Sequence, residues 1–322
     1  MTSNAIERAE SLFRVGQYQD GLDLLGVAAR ANDPDALAYL ASMSLSGDVV
    51  NRDLKLSRDL FRRAGLAGSV AGAAAYRAFV ANGTGGPPDW TGAVKLLEQA
   101  AATDTAARRE LDLIARMRLM ESGDPIHPCP ALTVSKSPEV QAFESLFTDA
   151  ECNFLIESSM PAFEPSTVVD PISGALVPNP VRTSDATAYP WVAESPAIHA
   201  LCRRLAVASG TKVNQGEPMQ VLRYRPGQEY RAHFDALTDT DNQRILTFLV
   251  YLNDDYEDGE TEFLATGLRV KGRKGDALLF RNVDRHGQPD PNSEHAGLPV
   301  ARGEKFLASR WIRERPFGPA RD

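Results

Sequence analysis

Three side chains in the second half of the sequence have the types and the spacing of a metal site. His233 and Asp235 are two residues apart, and His295 follows much later in the chain. In a β-strand, residues i and i+2 point to the same side, so His233 and Asp235 can reach one point. Two histidines and one carboxylate leave three positions of an octahedral metal open, as in non-haem Fe(II) oxygenases. A structural zinc site would take four closed ligands, often thiolates, and no cysteine lies near this motif.

The segments around these side chains form a longer pattern of motifs and short strands. In chain order they read Gln220-Val-Leu-Arg-Tyr224, Arg231-Ala-His-Phe-Asp235, Gly259-Glu-Thr261, His295-Ala-Gly-Leu-Pro-Val300 and Gly303-Glu-Lys305. Apolar or alternating runs lie between them and are separated by Gly and Asp turns, which is typical of strands. Residues 138–316 resemble the catalytic domain of the prolyl 4-hydroxylase family of Fe(II)- and 2-oxoglutarate-dependent dioxygenases. The resemblance implies a double-stranded β-helix, or jelly roll, with covering helices.

The resemblance also implies the cofactors and a co-substrate site. The implied set is Fe(II), 2-oxoglutarate and O2, with ascorbate as a further cofactor whose requirement stays open. Lys305 stands ten residues after His295, where the family has a lysine for the far carboxylate of 2-oxoglutarate. A buried ammonium is costly without an anionic partner, which suits this role. Tyr224 and Thr261 match family positions whose hydroxyl groups bind the same molecule.

Four residues are implied to contact the substrate: Arg182, Ser184, Tyr230 and Arg244. The guanidinium groups of Arg182 and Arg244 would hold peptide carbonyls or a carboxylate by forked hydrogen bonds. Tyr230 would lie against a proline ring, and Trp311 is expected in the core. The implied substrate is a peptidyl proline in a protein.

His286 is the rival for the distant metal ligand. It stands in Asp284-Arg-His-Gly-Gln288, just beyond a predicted strand. The family motif has a histidine followed by Gly-x-Pro-Val and then by Gly-x-Lys at fixed spacing. His295 fits this pattern and His286 does not, so we predict that His286 is a loop or rim residue.

Composition limits the classes of function and the compartment. The formal net charge is −8, which argues against nucleic acid as a partner because phosphate binding needs a basic face. Three cysteines give no disulfide framework. The chain has neither the apolar core of a signal peptide nor a run long enough to span a membrane. We therefore expect no membrane partner and a reducing, cytoplasmic location, which would keep Fe(II) reduced.

The first third of the chain carries an internal repeat. Leu25, Phe61 and Leu97 are 36 residues apart, as are Gly47 and Gly83. A period of this length is typical of stacked helix pairs. The Ala-rich helices with Gly-containing loops resemble Sel1-like repeats, relatives of the tetratricopeptide repeat. Such arrays present a surface for a peptide or protein partner, although this one could instead only pack against the rest of the chain.

These patterns predict an α+β protein of two domains. Residues 1–120 would form an α-solenoid of helix-pair repeats, residues 121–137 a Pro-rich linker, and residues 138–322 the dioxygenase domain. The predicted activity is 4-hydroxylation of a peptidyl proline, with the repeats docking the substrate or a partner. Two alternatives stay open. The enzyme could act on another residue or a free amino acid, or the protein could be a scaffold that senses oxygen or 2-oxoglutarate with little turnover.

Overall fold

The computed structural model describes residues 4–169 and 176–318. These residues group into two compact units. A helical unit contains residues 4–123 and 190–200, and a β-sheet unit contains the described residues of 124–189 and 201–318. The break after Gly123 falls inside the range that the sequence predicts as a linker.

The helical unit is built from antiparallel helices whose starts repeat every 36 residues. α3 and α5 begin at Pro34 and Val70, and α4 and α6 begin at Leu54 and Trp90. The period that the sequence indicates is therefore a structural repeat. The helices are α1 (Asn4–Arg14), α2 (Tyr18–Arg30), α3 (Pro34–Ser46), α4 (Leu54–Leu66), α5 (Val70–Asn82), α6 (Trp90–Ala100) and α7 (Thr105–Arg116).

Capping residues fix where these helices begin and end. The side chains of Asp33 and Ser69 accept hydrogen bonds from backbone N–H groups in the first turns of α3 and α5, which satisfies donors that a helix start leaves free. Gly47 and Gly83 end the same helices with φ of 80° and 82°. That left-handed conformation favours glycine.

Small residues let the helices of one repeat approach closely. A Cβ added at Gly65 of α4 would come within 2.9 Å of the Ala73 Cα on α5. Between the same two helices, the rings of Phe61 and Phe79 meet edge to face with centroids 5.5 Å apart. Both rings lie in a buried cluster with Leu37, so apolar burial holds the array together.

The β-sheet unit is antiparallel throughout. It also carries two α-helices, α8 (Asp149–Ser159) and α9 (Pro196–Ser209), of which α9 begins in the helical unit. The strands are β1 (Leu132–Lys136), β2 (Glu139–Phe143), β3 (Glu164–Pro165), β4 (Thr167–Val169), β5 (Leu176–Pro178), β6 (Asp185–Tyr189), β7 (Met219–Tyr224), β8 (Tyr230–His233), β9 (Arg244–Tyr251), β10 (Glu257–Asp258), β11 (Thr261–Phe263), β12 (Leu268–Val270), β13 (Ala277–Arg281), β14 (His295–Gly297), β15 (Val300–Arg302) and β16 (Lys305–Arg313).

Two sheets enclose the core of this unit. The major sheet has the strand order β1-β2-β13-β9-β16-β7-β6-β3, and the minor sheet has the order β12-β11-β14-β8. Buried residues of both sheets form one cluster, which includes Leu222, Leu249 and Phe280 from the major sheet and Phe263 from the minor sheet. This arrangement is the double-stranded β-helix that we expected from the sequence.

Helix α8 begins with the capping box that its sequence indicates. The Thr148 hydroxyl accepts from the Glu151 N–H, and the Glu151 carboxylate accepts from the Thr148 N–H. Arg204 of α9 binds the same carboxylate through two nitrogens, at 2.6 and 2.7 Å. One buried acid therefore starts α8 and joins it to α9.

Residues 190–200 join the helical unit although they lie between strands of the other unit in the sequence. The Asn82 amide donates to the carbonyl oxygen of Trp191 at 2.8 Å. The Glu110 carboxylate accepts from the N–H of Ala197 at 2.8 Å, in the first turn of α9. Val192 packs against the cluster that contains Phe61 and Phe79.

The longest α-helix in the described chain, α9, has 14 residues. A membrane span needs about 20 apolar residues. No helix of the described residues has the length and apolar character to cross a membrane.

Candidate metal centre

Strand pairing in the minor sheet brings the two halves of the predicted metal motif together. His233 ends β8 and His295 begins β14, and the two residues are register partners of this antiparallel pair. Asp235 follows β8 and is only 4% exposed. Its carboxylate oxygens Oδ1 and Oδ2 lie 3.6 Å from Nε2 of His233 and Nε2 of His295, respectively. One ligand atom from each of the three residues lies within 4.8 Å of the others, the one such group in the described part of the chain.

Backbone carbonyls fix the imidazole tautomers. The Nδ1–H of His233 donates to the carbonyl oxygen of Arg231 at 2.7 Å, and that of His295 to the carbonyl oxygen of Ser293 at 2.9 Å. A carbonyl oxygen only accepts, so each ring carries its hydrogen on Nδ1 and turns a lone pair on Nε2 toward the centre. Metal-binding histidines are commonly oriented in this way.

Two polar side chains hold the carboxylate of Asp235. The Thr247 hydroxyl on β9 donates to Oδ2 at 2.6 Å, and the Asn282 amide donates to the Thr247 hydroxyl at 2.9 Å. Burial raises the pKa of Asp235, but the nearby His295 and His233 and the Thr247 hydrogen bond outweigh it. The pKa therefore falls below its usual range, and Asp235 is a carboxylate at physiological pH.

The protonation states suit a divalent metal. Burial is the largest influence on His295, and it lowers the pKa of this imidazole to about 4 despite the attraction of Asp235. His295 is therefore neutral near pH 7, as metal binding requires. Two imidazoles and one carboxylate that converge on one point fit Fe(II) with open coordination positions.

A second cluster of residues lies beside the metal ligands, in the same cavity. Lys305 on β16, Tyr224 on β7 and Thr261 on β11 all line it. Lys305 and Tyr224 are register partners in the major sheet, whereas Thr261 pairs with Gly297 in the minor sheet. The three residues of the predicted co-substrate site are thus brought together from both sheets.

The ammonium group of Lys305 is buried without an acid beside it. Lys305 is 2% exposed, and its Nζ donates to the carbonyl oxygen of Gly259 at 2.7 Å. No carboxylate in residues 4–169 and 176–318 lies within 4.0 Å of this nitrogen. Burial lowers the pKa of Lys305 to about 8, against the attraction of Glu260. A buried cation in this state fits the carboxylate of a co-substrate such as 2-oxoglutarate.

Two of the four predicted substrate residues, Arg182 and Tyr230, line this cavity. Tyr230 stacks on the His233 ring with centroids 3.5 Å apart. Arg182 forms an isolated bridge with Tyr230, and its guanidinium carbon lies 5.6 Å from the centre of the tyrosine ring. Ser184 is fully buried and bonds to the Tyr224 hydroxyl. Ser184 therefore contacts the predicted co-substrate tyrosine.

Arg244 is held by an acid that sequence reasoning missed. Its Nε and Nη2 donate to the two carboxylate oxygens of Glu217 at 2.6 and 2.9 Å. Its guanidinium carbon lies 3.7 Å from the centre of the Trp311 ring. Trp311 is buried and lines the cavity. Arg313 Nε also lies 2.5 Å from Glu217. One edge of the Arg244 guanidinium is therefore bound within the protein. Its Nη1, by contrast, has no acceptor among the described residues.

We expect the Glu217→Gln substitution to destabilise the protein by about 3–5 kcal/mol, because it leaves two largely buried arginines without their carboxylate. Urea unfolding measures the change in the free energy of unfolding. Glu314→Gln, at the exposed acid that follows Arg313, is the control and should change the free energy of unfolding by less than about 0.5 kcal/mol. Equal stabilities of the two variants would show that Glu217 is not the anchor of Arg244.

The other histidines lie outside the metal group. His286 is exposed in the loop after β13, where its N–H donates to Asp284, in keeping with the loop role that we predicted. His199 on α9 is 2% exposed and hydrogen-bonds Glu194 through Nδ1 at 2.6 Å. It is a packed residue.

Comparison with known proteins agrees with this site. The model of the 2OG-Fe(II) oxygenase superfamily matches residues 219–313, which contain every residue of the metal and co-substrate clusters. Prolyl 4-hydroxylase 1 of Arabidopsis thaliana is 39% identical in an alignment of 201 residues, and the match covers 56% of this chain and 71% of that protein. Prolyl 4-hydroxylase 2 of the same plant is 34% identical in an alignment of 218 residues, and the match covers 60% of this chain and 73% of that protein.

Two solved structures each match a part of the chain. A viral collagen prolyl hydroxylase from Paramecium Bursaria Chlorella virus-1, in complex with 2OG, is 28% identical with a TM-score of 0.45. The match covers 56% of this chain and 98% of that one. A Sel1 repeat protein from Oxalobacter formigenes is 26% identical with a TM-score of 0.30, over 34% and 85% of the chains.

The relationship to the plant enzymes extends over more than two thirds of their length, and the iron ligands and co-substrate residues that the resemblance implies meet in one cavity. This chain belongs to the prolyl 4-hydroxylase family of Fe(II)- and 2-oxoglutarate-dependent dioxygenases.

Proposed function

We propose that the protein hydroxylates C4 of a proline residue within a protein or peptide. The observation that carries this proposal is the aromatic wall beside the metal ligands. Tyr230 lies against His233, and Trp311 lines the same cavity beneath Arg244. Flat aromatic faces suit the apolar ring of proline. The plant relatives are named as prolyl 4-hydroxylases, which supports the same assignment.

Each group of residues has a task in this reaction. When bound, Fe(II) and 2-oxoglutarate supply the oxidising chemistry, in which one oxygen atom of O2 enters the C–H bond and the other enters succinate, with release of CO2. His233, Asp235 and His295 would hold the metal, and Thr247 keeps the carboxylate of Asp235 oriented. Lys305 would bind the far carboxylate of 2-oxoglutarate. The burial of these groups keeps bulk water away from the reacting atoms.

Arg182 and Arg244 would orient the peptide backbone. Arg182 donates to Ser166 and Gln220, which holds its guanidinium beside Tyr230. Arg244 keeps Nη1 without an acceptor among the described residues after Glu217 has taken its other edge. A fixed guanidinium with spare N–H groups can donate to a peptide carbonyl at little entropic cost. We propose that both arginines contact the substrate in this way.

The affinity for 2-oxoglutarate should fall as the pH rises through about 8. The pKa of Lys305 is about 8 in the protein without ligand, so the lysine is a cation below this pH and neutral above it. A carboxylate is bound only by the cation, and the dissociation constant should therefore rise about tenfold from about pH 7 to about pH 9. Anaerobic titration with 2-oxoglutarate measures it. A wild-type affinity that stays constant over this range would contradict the assignment of Lys305.

A peptide hydroxylation assay tests the proposed substrate class. Purified protein with Fe(II), 2-oxoglutarate and O2 should add one oxygen to proline residues in proline-containing peptides, detected by mass spectrometry as 4-hydroxyproline. Free proline, under identical conditions, is the control and should stay unmodified. Oxidation of free proline alone, or of a different residue, would overturn the peptidyl-proline assignment and leave the dioxygenase activity standing. Parallel reactions with and without ascorbate determine whether this reductant is needed.

We propose that the helical unit docks the protein substrate or another protein partner. Support comes from its repeated helix pairs, which in other proteins present extended binding surfaces.

We also propose a reducing, cytoplasmic location. The three cysteines are free thiols in the structure, and Fe(II) needs a reducing environment.

A further inference from the structure

Arg77 in the helical unit is a buried cation without a partner. It lies on α5 and is only 7% exposed. Within the described ranges, its guanidinium has no carboxylate within 4.0 Å, donates no hydrogen bond and lies over no aromatic ring. Glu110 and Asp104 attract it only from a longer distance, and Glu110 already accepts from Ala197 at 2.8 Å.

A cavity opens beside this side chain. Its volume is about 290 Å³, close to the lower end of small-ligand pockets. Tyr76, Leu96 and Gln99 line it together with Arg77, and Arg62 and Leu66 stand at its rim. Leu66 is 78% exposed, so the rim is open to solvent. We call this space the Arg77 cavity.

An unpaired buried charge is costly to a fold, and proteins keep one where it serves a ligand. The Arg77 cavity combines this cation with a second arginine, one side-chain amide and apolar surface. We propose that the Arg77 cavity binds a carboxylate group of a peptide partner, flanked by an apolar residue. The carboxylate would come from the C-terminus of the partner or from an acidic side chain. This site lies in the helical unit and does not depend on the proposed hydroxylation.

A ligand-binding role and a purely structural role of Arg77 predict opposite changes in the Tm when Arg77 is replaced. If water linked Arg77 to Glu110, loss of the cation would leave the buried acid uncompensated and would lower the Tm. Burial is the largest influence on Arg77 and lowers the pKa of its guanidinium more than Glu110 and Asp104 raise it. The cation is therefore unfavourable in the unliganded fold, and Arg77→Met should raise the Tm.

Calorimetric titration of the full chain with three short peptides tests the proposal. The probes are acetyl-Ala-Leu with a free C-terminus, the same peptide as its C-terminal amide, and acetyl-Ala-Glu-Leu amide. We expect binding at millimolar concentration by one or both carboxylate peptides and none by acetyl-Ala-Leu amide. The peptide that binds identifies the source of the carboxylate. Arg77→Met should weaken this binding about tenfold or more, whereas Arg109→Met, at an exposed arginine on α7, should leave it unchanged.

Two variants of Leu66, at the rim of the cavity, test the proposal even if the Arg77→Met variant fails to fold. Leu66→Glu places a negative charge at the exposed mouth and should weaken carboxylate binding severalfold, whereas Leu66→Gln should not. The proposal is overturned if acid and amide forms bind alike, if the wild-type protein binds none of the probes, or if Arg77→Met keeps full affinity. A lowered Tm of Arg77→Met with unchanged peptide binding would assign Arg77 a structural role instead.

Discussion

Replacing His295 by alanine is expected to abolish both iron binding and turnover. His295 supplies one of three ligand atoms that lie within 4.8 Å of one another. Loss of a residue that only hydrogen-bonds a metal ligand already lowers metal affinity or activity about 10- to 100-fold. Loss of the ligand itself should therefore lower iron affinity by more than about a hundredfold. Iron content after reconstitution and the rate of succinate formation are the two measurements.

His286→Ala is the matched control for this prediction. His286 was the rival ligand in the sequence, and in the structure it is an exposed loop residue bonded to Asp284. This variant should bind iron and turn over like the wild-type protein. If His286→Ala loses iron while His295→Ala keeps it, the ligand assignment is wrong.

Substitution of Lys305 by methionine should raise the KM for 2-oxoglutarate by about 10- to 100-fold, which corresponds to the loss of one charged hydrogen bond. The maximal rate at saturating co-substrate should change little, because the far carboxylate does not react and its binding is uniform along the reaction. Steady-state kinetics at several concentrations of 2-oxoglutarate separates the two parameters.

The same variant should be at least as stable as the wild-type protein. Lys305 is buried with one backbone carbonyl as its partner, and methionine removes the desolvated charge while keeping most of the volume. Lys136→Ala, at an exposed lysine of β1, controls for the loss of a positive charge. A Lys305→Met enzyme with a wild-type KM would refute the co-substrate role.

The residues that would bind the metal and the co-substrate could be predicted from the sequence, but the residues that orient them could not. His233, Asp235, His295 and Lys305 stand in motifs whose spacing carries chemical meaning. Thr247 lies within an apolar strand, where any strand would use a threonine. Its hydroxyl reaches the Asp235 carboxylate only because β9 lies close to the residues that follow β8. β8 and β9 belong to different sheets, so this proximity comes from how the two sheets pack, which local spacing does not encode.

The same limit applied to the arginines. Arg244 was predicted from family position as a free fork for the substrate, yet Glu217 binds two of its nitrogens. Glu217 precedes β7 as one acid in a polar turn, and no spacing signal links it to Arg244. In the helical unit, the 36-residue period predicted stacked helix pairs, and the N-caps and C-terminal glycines of α3 and α5 repeat with it. In the sequence, nothing distinguishes Arg77 from an ordinary helical residue. Only the three-dimensional packing shows that it is buried and unpaired.

The most direct test of the central claim is the stoichiometry of the reaction with a proline-containing peptide. We expect one succinate for each 4-hydroxyproline formed, no product without Fe(II), and no product with His295→Ala. Succinate formation without hydroxylated peptide, across a broad peptide mixture, would contradict the peptidyl-proline assignment. An iron-loaded protein that forms no succinate at all would contradict the dioxygenase activity itself.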